Sequence, residues 1–192
     1  TSMALFLAIE IILVVTPLGY IPIGPLNATT MHIPVIIAGI VLAKKAGAEL
    51  GFDFWINKFN QGNDSTRHYI LLFFPIVTIG TMSGNYKSLL IAFVPRILLG
   101  YLAGLVFGIM KKNNRENLGV VVGALTGAIT NTVLVYQNIH IFGEAYASAV
   151  GVQTYFSNGI IGVVSTNGIL EAILGAIVSL AIYKALKPIL KS

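Results

Sequence analysis

The sequence predicts an all-α integral membrane protein with six transmembrane helices and with N- and C-termini cytoplasmic. Three observations predict it. Of the 192 residues, 56% are hydrophobic and only 10% charged, with a mean hydropathy of +0.85, whereas soluble domains are about one quarter charged. Apolar runs of the length a bilayer demands recur along the chain, and polar residues gather between them. The basic residues, finally, fall mostly on one side of the implied topology. This composition excludes a soluble enzyme, a disordered tail and a nucleic-acid binder, despite a formal net charge of +5. A single domain, 1–192, is expected, because six helices of about 20 residues plus loops nearly exhaust the chain.

The first helix is expected from about Met3 to Thr16. The opening TSMALFLAIEIILVV lacks the basic n-region and small-residue cleavage site of a removable signal peptide. Its apolar run before Pro17 is short for a span, so further residues are expected ahead of Thr1. Pro17, Gly19, Pro22, Gly24 and Pro25 forbid regular helix and predict a loop of turns and extended backbone over about 17–28. A second helix follows from about Thr29 to Ala43, stopped by Lys44 and Lys45. The third runs from about Ala46 to Trp55 or Phe59. The run ILLFFPIVTIG is broken by Pro75 and is too short to cross about 30 Å of hydrocarbon, so 60–87 reads as an outer lid or interfacial segment. Helix four spans about Ser88 to Met110, helix five about Leu118 to Phe142, and helix six about Ile160 to Tyr183. A third outer loop is expected over 143–159.

Charge sets the orientation. With a cytoplasmic N-terminus, the inner connections hold Lys44, Lys45, Lys111, Lys112, Arg115, Lys184, Lys187 and Lys191, and the outer loops hold Lys58, Arg67 and Lys87. That asymmetry is the one the positive-inside bias requires. No internal repeat is evident, which speaks against transporters built from two inverted halves.

Few residues can carry chemistry. Ala4 and Ala8 place two small side chains one turn apart on one helix face, which suits close helix association in lipid, within the chain or with a partner. Arg96 sits about 12 Å below the outer boundary, counting 1.5 Å per residue. A guanidinium at that depth needs a partner. It reads either as a clamp for a ligand carboxylate or as half of an internal ion pair with Glu10, Asp53 or Glu171, of which Glu10 and Asp53 are nearest in depth. Asn131 and Asn167 lie near mid-membrane in the similar phrases AITNTVL and VSTNGIL. Their amides suit a ligand with hydroxyl and amide groups, or equally interhelical hydrogen bonds. Tyr136 reads as a pocket-closing hydroxyl or as an interfacial aromatic. His32, in NATTMHIP, reads as a structural histidine or as a ligand contact.

Other chemistries lack their residues. The chain has no cysteine, and its three histidines show neither the i, i+4 spacing nor the Cys partners of a zinc site, so no metal is expected. There is no G-x-x-x-x-G-K-[ST] and hence no ATPase activity in this chain, and no G-x-S-x-G. No cofactor is expected in this chain. Binding or transport fits better than catalysis.

The six-helix pattern, Ala4-x-x-x-Ala8, GYIPIGPLNATTMHIPVIIAGIVL followed by KKAGAELG, FVPRILLGYLAG and GAITNTVL resemble, as an ordered set, the substrate-binding S component of an energy-coupling factor (ECF) vitamin transporter. The resemblance covers most of the chain; the short first helix and the Phe52–Tyr86 region depart from it. It implies a multi-pass protein of the prokaryotic plasma membrane that binds one vitamin near its outer face, beneath the loops 17–28, 60–87 and 143–159. Its implied partners are a transmembrane coupling protein, met through Ala4 and Ala8, and two cytoplasmic ATPase subunits that hold ATP and Mg. The phrases IPIGPLNATT, FVPRIL and AITNTVL look most like pantothenate S components, which adds Asn27 to the candidate contacts. Arg96 would then take the carboxylate, and Asn131, Asn167 and Tyr136 the amide and hydroxyls. An S component for pyridoxine or hydroxymethylpyrimidine is the near alternative. A solitary ion-coupled transporter, an intramembrane enzyme and a structural assembly subunit are more distant ones.

Overall fold

In the computed structural model the described residues are 2–16, 20–23, 26–30, 32–61, 78–79, 82–83, 86–150 and 153–190. They form six helices: α1 (Ser2–Val15), α2 (His32–Val41), α3 (Lys44–Gln61), α4 (Tyr86–Lys112), α5 (Glu116–Val150) and α6 (Gln153–Leu190). Two short antiparallel hairpins accompany them, β1 (Tyr20–Ile23) with β2 (Leu26–Thr29), and β3 (Thr78–Ile79) with β4 (Met82–Ser83).

Local chemistry explains most boundaries. Pro34 is tolerated because it falls in the first turn of α2, where a missing N–H costs nothing. Helix α4 stops at a turn in which the Arg115 N–H bonds the Met110 carbonyl at 3.1 Å and Asn114 takes a left-handed φ of 57°, a conformation asparagine adopts more readily than most residues. Within the Pro-rich stretch expected as turns and extended backbone, the extended residues 20–23 and 26–29 pair as β1–β2, with Tyr20 opposite Thr29 and Pro22 opposite Asn27.

The region 143–159 departs from expectation. Rather than a loop, it is helical up to Val150 and again from Gln153. Glu144, Ala145, Ala147 and Ala149 favour helix, and their propensity outweighs the glycine at 143. Of the expected lid 60–87, residues 62–77, 80–81 and 84–85 lie outside the described residues.

Close backbone contacts fix how the helices run. Residues Phe107, Ala103 and Leu99 of α4 meet Gly119, Gly123 and Gly127 of α5, so these two helices are antiparallel. Gly47 meets Gly100, and Gly51 meets the Arg96 carbonyl, so α3 is antiparallel to α4. Val35 meets Gly100 and Gly39 meets Gly104, which makes α2 parallel to α4. Thr132 lies at Gly168 and Glu116 at Tyr183, so α5 and α6 are antiparallel. The centre of the molecule is a backbone-to-backbone crossing: a methyl group on Gly100 would collide with the Gly47 carbonyl, and one on Gly104 with that of Gly39. Val35, Ile36, Leu50, Leu99 and Val120, all fully buried, fill the space around that crossing.

Large apolar side chains also line the outside. Ile169, Ile173 and Ile177 form an exposed stripe on α6, Ile129 and Val133 one on α5, and Leu5, Ile9 and Ile12 one on α1. Among the described residues, Phe93–Lys112, Glu116–Leu134 and Gly168–Pro188 are long and apolar enough to cross a membrane, and Met3–Leu13 and His32–Val41 are shorter apolar helices. Exposed isoleucine rows on long apolar helices are what lipid contact requires, and they identify a membrane protein.

Candidate binding site

Among the described residues, three helices bring charged and polar side chains to a common part of this apolar interior. Helix α4 contributes Arg96, 8% exposed, directly after the fully buried Pro95. Proline removes the hydrogen bond that position 95 would give to the carbonyl of Ile91, so the backbone beside Arg96 is unusually polar for mid-helix. Helix α2 opens with His32, 3% exposed, after a turn in which the Ile33 N–H bonds the Thr30 carbonyl at 3.0 Å. Helix α6 contributes Glu171.

His32 joins the three. A side chain added at Gly175 of α6 would begin 3.7 Å from its Nε2, and Glu171 stands one turn earlier on the same face of α6. The imidazole faces the Glu171 backbone without meeting hydrogen-bond geometry, and the charges of Glu171 and Arg96 both reach it. Neither ring nitrogen has a hydrogen-bond partner among the described residues. Buried polar atoms are nearly always paired, so this imidazole retains bonding capacity within reach of the charges of Arg96 and Glu171.

Helix register brings in Asn131. The α4–α5 contacts step back four residues on one helix for each four gained on the other, from Phe107 and Gly119 to Leu99 and Gly127. One more step sets Asn131, which is half-buried, level with Pro95 and Arg96. On the other side of α5, Thr132 packs against Gly168, so the phrases AITNTVL and VSTNGIL meet at the same depth. The side chains of Asn167, Tyr136 and Asn27 lie outside the described residues; their backbones belong to α6, α5 and β2. Strand β2 contacts α6, which holds the β1–β2 hairpin at the end of the bundle where α2 begins.

The sequence reading left Arg96 a choice among Glu10, Asp53 and Glu171. Glu10 is buried on α1, which packs on α3, the helix of Asp53, and the charges of Glu171 and Arg96 both reach His32. Depth is countable in a sequence, but the rotation of a helix about its axis is not. Ala4 and Ala8 both lie on the exposed face of α1, while Phe6 and Glu10 point inward. Among the described residues no group of His, Asp and Glu could hold a metal ion.

Residues 1–186 match the family described as ECF transporter, substrate-specific component. The chain is a member of that family. This substrate-specific component is 36% identical over 187 residues to the pantothenic acid transporter PanT of Lactococcus lactis subsp. cremoris, covering 96% of this chain and 91% of the relative. It is 30% identical to the pantothenate transporter PanT of Leuconostoc mesenteroides, covering 96% and 89%. A substrate-specific component is the part of a transporter that selects its cargo.

Proposed function

We propose that this chain is the pantothenate-binding subunit of an ECF importer. The observation that carries the reading is that two relatives named as pantothenate transporters align with 96% of the chain, and Arg96 gives the chemistry a place. Pantothenate has a carboxylate, an amide and two hydroxyls. A guanidinium binds a carboxylate through two parallel hydrogen bonds, and in a poorly solvated interior that contact is strong. Asn131 and Asn167 offer donors and acceptors for the amide, Tyr136 and Asn27 further polar contacts, and His32 an imidazole for a hydroxyl.

In this reading the chain crosses the plasma membrane six times with both termini cytoplasmic. The alternating up-and-down register of α2 to α6 supports that topology. The chain binds the vitamin beneath the β1–β2 hairpin and hydrolyses no ATP itself; two partner ATPases, holding ATP and Mg, drive import. The outward face of Ala4 and Ala8 docks on the transmembrane coupling protein, where small residues let two backbones approach.

Calorimetric titration of the purified chain with pantothenate, pyridoxine and hydroxymethylpyrimidine tests the substrate. Submicromolar binding of pantothenate alone is the expected result. Tight binding of either other ligand with pantothenate silent overturns the substrate and leaves Arg96 to an internal ion pair.

A further inference from the structure

The ends of the three long apolar helices hold a second polar region, remote from Arg96. The stretches able to cross a membrane stop at Lys112 and Pro188 and begin at Glu116. A cavity of about 450 Å³ lies where those three ends meet, lined by Asn114, Arg115, Glu116, Asn117, Leu118 and Lys187. Counting 1.5 Å per residue along α4 from Arg96 to Lys112, it is about 24 Å from the candidate binding site, so one small ligand cannot span both.

The charge at this end is one-sided. Arg115 is exposed on the cavity wall, and Lys111, Lys112 and Lys184 stand exposed on the same helix ends. Glu116 is the only acid between positions 97 and 143, and no acid follows Glu171. Its carboxylate is already held by Lys187 and by the Tyr183 hydroxyl. The guanidinium of Arg115 and the three other ammonium groups therefore have no second acid on these helix ends to neutralise them. Asn114 and Asn117 add amide donors and acceptors to the cavity wall.

Basic residues at a membrane boundary follow from the positive-inside bias alone, and a scattered row of them would need no ligand. Here Arg115 and Lys187 instead share the wall of one recess with two amides, and the exposed Leu118 on that wall presents apolar surface beside them. An occupant that satisfies all of these carries a negative charge and polar oxygens at one end and hydrocarbon at the other. A free phosphate meets the first requirement; an anionic phospholipid at the edge of the bilayer meets both. We propose that this cavity is a headgroup site for an anionic phosphodiester lipid of the phosphatidylglycerol type. Arg115 pairs with the phosphodiester, which suits the fork of a guanidinium. Asn114 and Asn117 take the hydroxyls of the headgroup, and the acyl chains leave along Leu118. Basic recesses between the ends of membrane helices are suited to such headgroups. The leaflet that supplies the lipid follows from the proposed topology; the site itself depends neither on that topology nor on the vitamin bound.

Native mass spectrometry of the purified full chain, titrated with phosphatidylglycerol, phosphatidylcholine or soluble glycerophosphoglycerol, tests the site. The wild type is expected to retain one phosphatidylglycerol at concentrations at which phosphatidylcholine leaves no adduct. Arg115→Gln and Lys187→Gln should each weaken that binding about fivefold, as one basic side chain contributes at an anionic surface. Lys45→Gln should leave it unchanged, because Lys45 is exposed on α3, which meets α4 at Gly104 rather than at the cavity. Equal retention of the two lipids overturns the proposal, as does a loss in Lys45→Gln as large as that in Arg115→Gln, which would mean diffuse surface charge. Glycerophosphoglycerol binding as tightly as the lipid overturns it in favour of a soluble phosphate. Lys187→Gln also breaks the pair with Glu116; should that variant fail to fold, the exposed Arg115→Gln decides alone.

Discussion

The Tyr183 hydroxyl donates a 3.2 Å hydrogen bond to Oε2 of Glu116, tying the end of α6 to the first turn of α5. Lys187 pairs with the same oxygen. The Tyr183 ring packs edge-on against Phe107 of α4, 5.4 Å between centroids, so Tyr183 links α6 to both α5 and α4. The two bonds should differ in their response to salt. Lys187 is about one third exposed and its pair is screened by ions, whereas Tyr183 is buried. Thermal unfolding should show the cost of Lys187→Ala shrinking at high salt and the cost of Tyr183→Phe unchanged. Equal salt sensitivity of the two variants would contradict this.

Glycines of one helix should diverge sharply under the same substitution. At Gly100 a methyl group meets the Gly47 carbonyl, while at Gly108 it meets nothing within 4 Å. Gly100→Ala is expected to destabilise by about 1–3 kcal/mol or more through overpacking. Gly108→Ala should be neutral or stabilise by up to about 1 kcal/mol from helix propensity. Denaturation of the two purified variants beside the wild type checks both signs.

Arg96→Ala should weaken pantothenate binding about 10- to 100-fold, as expected from the 1.5–3 kcal/mol typical of hydrogen bonds to a charged group. An analogue with an alcohol in place of the carboxylate should be affected far less. Calorimetry with both ligands separates a carboxylate clamp from a purely structural arginine, whose loss would weaken both alike.

Ala8→Leu should leave pantothenate affinity within about twofold and abolish uptake in cells that carry the partner subunits. Ala8 faces outward, so a bulkier side chain disturbs no internal contact but holds a second backbone away. Loss of ligand binding in this variant would instead place the Ala8 face against the chain's own core.

The parts legible in the sequence were those that depend on spacing along the chain. The end of α4 at KKNNRE, the shared helix face of Ala4 and Ala8, and Arg96 as a buried cation follow from counting residues against a helix period and a bilayer thickness. What stayed hidden depends on rotation and on competing propensities. Nothing in ILEAILG says that Glu171 turns toward α2 whereas Ile173 turns outward, because an acid within an apolar run can serve either face. The segment GEAYASAV resembles a loop by its glycine and serine, yet its alanines and glutamate continue α5. The pairing of Tyr20 with Thr29 likewise arises between residues that alternation alone does not match.

Helices α2, α3 and α4 touch through main-chain atoms at Gly39, Gly47, Gly100 and Gly104, where no side chain can rotate to relieve a displacement. Sliding one of these helices past another would drive carbonyl oxygens through neighbouring backbones. The trio therefore behaves as a keel, a rigid frame on which the other helices are hung.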